Sequence, residues 1–208
     1  MRKNRTSGEV AGAPGDRSPY AGSGMLGSSQ EFRGMSKNQL TLLASASLIV
    51  GGVLGMVGSF SPSGVRGIAW GLDGTALVLG AALLAVHHIK LGNEQLAAGF
   101  VVFIAGQTLV VSGSAMELTA SSATFGAGVG LWAAGLALVS ASSVQPILVR
   151  VTGAIASVMF AVTALQIYGG IAVTPLSKPL PFGAYPFLVF TLFGWAWLHY
   201  RSGPENAA

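Results

Sequence analysis

Between Leu40 and Tyr200, a stretch of 161 residues, the chain carries only seven charged side chains: Arg66, Asp73, Lys90, Glu94, Glu117, Arg150 and Lys178. Six of them fall at joints between apolar stretches. At ~1.5 Å of helical rise per residue, each stretch is long enough to cross a hydrocarbon core of ~30 Å. Such spacing predicts an all-α integral membrane protein. Asp73 alone lies inside a stretch, so it is the one charge that needs a chemical explanation rather than a topological one.

The remaining composition agrees. Charged residues make up 9% of the chain and hydrophobic ones 51%, whereas a soluble domain needs about a quarter of its residues charged to clothe its core. The absence of cysteine excludes a disulfide framework, thiolate metal ligands and a cysteine nucleophile.

Half of the eighteen charges crowd into residues 1–37 among Gly, Ser and Pro with no hydrophobic period, the signature of a disordered, basic N-terminal tail. Arg2, Lys3 and Arg5 suit an anionic lipid surface. Met35-Ser36-Lys37-Asn38-Gln39-Leu40 reads equally well as a start, in which case residues 1–34 are an over-extended reading frame.

From residue 38 to 201 the pattern predicts a bundle of six transmembrane helices, over about 40–60, 67–89, 94–116, 123–142, 149–171 and 182–200, with a short tail at 202–208. Ser61-Pro62-Ser63-Gly64 ends the first, because Pro62 cannot continue a helical ladder. Gly92 suits a helix end, Asn93 an N-cap, and Glu94 the positive end of the next helix dipole. Pro146 fits a first helical turn. The linker from Val173 to Gly183 holds Pro175, Pro179 and Pro181 and reads as an external or shallow re-entrant loop. Trp195, Trp197 and Tyr200 suit an interfacial belt.

An even number of spans puts both ends on one side. That side collects Lys90, Arg150, Arg201 and the six basic residues of the tail, against Arg66 and Lys178 on the other, so both termini are expected in the cytoplasm of a bacterial inner membrane. Starting at Met35 leaves Lys37, Lys90, Arg150 and Arg201 against the same two. The sign is unchanged, and the basicity is an orientation signal rather than a nucleic-acid surface.

Glycines at helical spacing predict close helix contacts: Gly51, Gly55 and Gly58 in the first span, Gly67 and Gly71 in the second, Gly126 and Gly130 in the fourth. An echo of Ala105-Gly106-x-x-Leu109-Val110 in Ala134-Gly135-x-x-Leu138-Val139 falls within chance for a composition this rich in Ala, Gly, Leu and Val.

Among polar residues, Asp73 is the candidate for an ion or proton site. Gln107, Glu117 and Gln166 are its candidate companions. The competing reading pairs Asp73 with Arg66 or Lys178, or lets water reach it, because six residues past Gly67 is a shallow position. His87, His88 and His199 all fall at the inner face. Neighbours on a helix point ~100° apart, so they read as interfacial histidines, and no metal or cofactor is expected. Ser112 and Ser114 lie most of a bilayer from any histidine, which removes a serine-hydrolase pair. No phosphate loop or zinc spacing occurs, and no enzyme is expected.

The residues thus predict a structural or accessory membrane protein whose partners are the lipid bilayer, a second copy or a larger membrane complex, and no nucleic acid. The alternative is a transporter or channel component with a proton or cation site around Asp73.

Overall fold

The computed structural model describes residues 36–114 and 120–201. They form α1 (Lys37–Phe60), α2 (Ser63–Lys90), α3 (Glu94–Ser114), α4 (Ser122–Ala141), α5 (Ile147–Tyr168) and α6 (Tyr185–Arg201), with one 3₁₀ turn, Phe182–Ala184, leading into α6. No strand occurs among the described residues. Helices α1 to α5 are long and apolar enough to cross a membrane; α6 has 17 residues. The predicted N-terminal tail with its alternative start at Met35, the C-terminal tail, and Glu117 lie outside the described residues.

Local chemistry explains the helix ends. Ser36 caps α1 through a reciprocal pair, Gln39 N donating to Ser36 Oγ at 3.2 Å and Ser36 N donating to Gln39 Oε1 at 3.0 Å, which satisfies two otherwise orphaned amides. The expected turn cluster of four residues shrinks to Ser61 and Pro62. Pro62 stands at the N-cap of α2, where its missing N–H costs nothing, so α2 starts at Ser63 rather than Gly67. At the other end of α2, Gly92 takes φ +72°, a backbone state that lets the chain reverse directly into α3. Helix α5 stops at Tyr168, short of the expected Ile171, because Gly170 turns left-handed at φ +87° and the Ile171 amide bonds back to Gln166 O at 2.9 Å.

Short connections make successive helices antiparallel. Each packs on its sequence neighbours, and α6 closes back on α1. Near that closure Ser45 Oγ donates to Ala196 O at 2.8 Å. The bundle therefore has two ends. One carries the start of α1, the α2–α3 and α4–α5 turns and the end of α6. The other carries Ser61–Pro62, the α3–α4 connection and the α5–α6 loop.

The glycines account for how closely the helices approach. In α1, Gly51 faces Leu77, Gly55 faces the Asp73 carboxylate and Gly58 faces Trp70, so one ridge of α1 receives the Trp70, Asp73 and Leu77 face of α2. Gly126 meets Ile167 and Gly130 meets Ala164 across α4 and α5. Gly67 and Gly71 behave differently from expectation: nothing lies within 4 Å of a side chain placed there, because that face of α2 points away from the bundle.

The closest approach of backbone to backbone was not among the expected ridges. A β-carbon on Gly106 would stand 2.7 Å from Gly128 O, and one on Gly135 would stand 2.8 Å from Gly99 O, so α3 and α4 touch through backbone at two levels. Both glycines of the 29-residue sequence echo, Gly106 and Gly135, sit in this contact.

The centre is aromatic. Trp132 meets Phe160 at 5.1 Å between ring centroids and Phe103 at 5.9 Å, while Trp195 meets Phe103 at 5.9 Å and Phe100 at 4.9 Å. All five rings are buried. The exterior is apolar too: Ile68, Leu72, Leu148, Leu165 and Phe190 are each more than half exposed.

Candidate functional site

Toward the end of the bundle that carries the α5–α6 loop, five helices leave a cavity of about 50 Å³, several times the roughly 10–15 Å³ that one water requires. Its wall follows from helical periodicity. Trp70, Asp73 and Leu77 line it from α2, Gln107, Val110 and Val111 from α3, and Tyr185, Leu188, Val189 and Leu192 from α6, each set at the three- and four-residue spacing that shares a helix face. Helix α1 adds Gly52, Gly55, Met56 and Ser59, and α4 adds Trp132. The α5–α6 loop reaches over it through Pro175, whose carbonyl accepts a 2.9 Å bond from Tyr185 Oη.

Tyr185, Trp70 and Ser59 of this wall have hydrogen-bond partners, but three of its side chains carry polar atoms that do not. Asp73 Oδ1, both amide atoms of Gln107 and Trp132 Nε1 are buried without a hydrogen bond. Leaving one such atom unpaired in a dry interior costs ~1–3 kcal/mol. The three side chains border a cavity whose exposed lining is mostly apolar. Asp73 supplies a carboxylate, Gln107 two donors and an acceptor, Trp132 a single donor.

Asp73 has no basic partner here. Arg66 Nη2 donates to Ser61 O at 2.9 Å and its guanidinium lies over the Trp70 ring. Lys178 Nζ lies over the Phe182 ring at 4.9 Å. Both cations named as partners from the sequence point elsewhere. Asp73 is also deeper than the sequence suggested. Because α2 begins at Ser63, Asp73 is ten residues into the helix, ~15 Å from its start.

Of the companions proposed from sequence, Gln107 joins Asp73 at the cavity. Gln166 does not: it is half-buried near the end of α5 and does not line the cavity. Glu117 lies outside the described residues. Trp132 and Tyr185 were missed, since a single aromatic in an apolar helix carries no sequence mark of the cavity it borders.

The histidines depart furthest from expectation. At the opposite end His87, His88 and His199 are all buried and meet each other, because α6 brings His199 against the end of α2. His88 Nε2 and His199 Nε2 are 3.0 Å apart, and the His88 ring stacks on Phe100. Among the described residues no trio of His, Asp or Glu has the geometry of a metal site.

Comparisons of the chain with protein-family models, with curated proteins and with solved structures found no match.

Proposed function

We propose that the chain is an integral membrane protein of six spanning helices whose Asp73 cavity conducts or transports a proton or small cation. The apolar exterior supports insertion, because so large an exposed apolar surface has no place in water. Helix α6 with its preceding turn makes 20 residues, Phe182 to Arg201, enough at ~1.5 Å each to match a ~30 Å core. Lys90, Arg150 and Arg201 at the histidine end against Arg66 and Lys178 at the cavity end support a cytoplasmic histidine end and an external cavity end.

One observation carries the reading. Asp73 holds a buried, unpaired carboxylate oxygen on a cavity shared with Gln107 and Trp132, while both nearby cations are engaged elsewhere. A structural charge in a membrane would be paired, so an unpaired one bordering a cavity favours a path for an ion or proton.

The test is reconstitution into liposomes loaded with a pH-sensitive dye and driven by a potassium diffusion potential, with parallel assays for sodium and potassium. Asp73→Asn is expected to abolish the flux and leave the protein folded. Flux unchanged in that variant would sink the proposal.

A second reading, an accessory protein that docks on a copy of itself or on a membrane complex, draws on Gly67 and Gly71, the ridge with open space in front of it. Small residues there would let a partner helix approach. In that case Gly67→Leu and Gly71→Leu dissociate the assembly in mild detergent without unfolding the chain, whereas an unchanged assembly speaks against it.

A further inference from the structure

At the end opposite the cavity, two of the three buried imidazoles, His88 and His199, lie in a directed hydrogen-bond chain. His199 Nδ1 lies 2.7 Å from Trp195 O. A carbonyl oxygen can only accept, so this nitrogen carries the proton, and in the neutral ring Nε2 is then an acceptor. His88 Nε2, 3.0 Å away, must therefore donate to it. That leaves His88 Nδ1 as the acceptor, and the Asn93 amide Nδ2 stands 3.4 Å from it. The order Asn93, His88, His199, Trp195 O follows from its two ends.

We infer that the His88–His199 pair is a second proton-binding station, in series with the Asp73 cavity and separated from it by the ring of Trp195. The inference rests on the proton route proposed at Asp73. A proton arriving at the half-buried Asn93 binds His88 Nδ1; the His88 Nε2 proton then passes to His199 Nε2. The N–H bond formed on His88 Nδ1 balances the one broken at His88 Nε2, and the positive charge moves to His199, one helical turn from Trp195. For this the Asn93 amide turns its oxygen to the newly protonated Nδ1.

The titratable and charged groups around the pair are few. His87 is the other titratable member, its ring edge-on to His88 and His199 at 5.3 and 5.6 Å. Helix α3 contributes the uncharged Phe100 ring, and its Glu94 is exposed. From α1, Ser45 Oγ is committed to Ala196 O. Lys90 is exposed, Arg201 lies over Trp197, and Arg150 is held by Ser140 O. Beyond His199, Trp195 packs between Phe100 and Phe103, and Phe103 stacks on Trp132 of the cavity wall. The two stations thus face one aromatic partition from opposite sides.

The test uses the full chain in lipid bilayers with ¹⁵N-labelled histidine. Solid-state NMR is expected to show His88 protonated at Nε2, His199 at Nδ1, a coupling between the two Nε2 atoms, and loss of both signatures together on acidification. Opposite tautomers or independent titration overturns the pair. In liposomes, His88→Gln and His199→Gln are each expected to lose proton flux. Wild-type flux in these variants alongside loss in Asp73→Asn overturns the second station and leaves the first. Loss in the histidine variants with flux retained in Asp73→Asn overturns the Asp73 route instead. Circular dichroism and size-exclusion profiles establish that each variant is folded, and His88→Asn, which retains an amide near the Nδ1 position, provides a second substitution at that ring.

Discussion

Two polar clusters occupy the same bundle and treat their hydrogen bonds in opposite ways. Around the cavity, Asp73 Oδ1, the Gln107 amide and Trp132 Nε1 have no partner; around the histidines, Asn93, His88, His199 and the Trp195 carbonyl form a connected chain. The first cluster contributes little to stability. The second ties the end of α2 and the turn after it to α6 and has its capacity arranged in a line. The difference shows why burial of a polar group says nothing about its role until its partners are counted: the same desolvation is offset by internal hydrogen bonds at one site and not at the other.

The comparison is broken most severely at Trp195, the ring between the clusters. Trp195→Ala is expected to destabilise the protein by ~3–5 kcal/mol, read as a shifted unfolding midpoint in detergent micelles, and to make any folded fraction leaky to protons. A shift below ~1 kcal/mol would mean that Trp195 is not the partition. Next in size is His88→Ala, which removes the partner of His199 Nε2 and Asn93 Nδ2 in this chain. The expected loss is ~1–3 kcal/mol by the same measurement, whereas no loss would show that the chain contributes nothing to holding the helices.

Asp73→Asn sharpens the contrast from the other side. Asp73 Oδ1 has no hydrogen bond to lose, so stability should stay within ~0.5 kcal/mol while flux disappears; a large destabilisation would reveal a structural role. The smallest effect is expected at Gly55, where a β-carbon would stand 3.2 Å from Asp73 Oδ2. Gly55→Ala should displace the carboxylate and lower flux with only a slight change in stability. Gly71→Ala, with nothing within 4 Å, should gain up to ~0.5–1 kcal/mol from reduced unfolded-state freedom. Equal flux in the two variants would separate Gly55 from the site.

Much of the fold was legible because charge and proline mark helix ends. Six helices appear near the expected positions, and Asp73 and Gln107 do share a cavity. The failures have a common cause. Gly67 and Gly71 repeat the spacing of a packing ridge, yet spacing does not say which way a face points. Gln166 has the right chemistry at a depth and on a helix that the cavity does not use. The histidines looked separate because His199 is 111 residues from His88 in the chain, and only the return of α6 to α1 joins them.

By itself the sequence determined what depends on order along the chain: which stretches are apolar, where helices start and stop, and that one acid interrupts them. The tertiary structure decided what depends on rotation and neighbours: that Arg66 and Lys178 turn away from Asp73, that Trp132 and Tyr185 complete its cavity, and that three imidazoles form one cluster. Helical periodicity assigns residues to faces, but several bundles can bury the same faces. Backbone contact between Gly106 and Gly128 and between Gly99 and Gly135 helps select among them, and that choice sets which polar groups find partners.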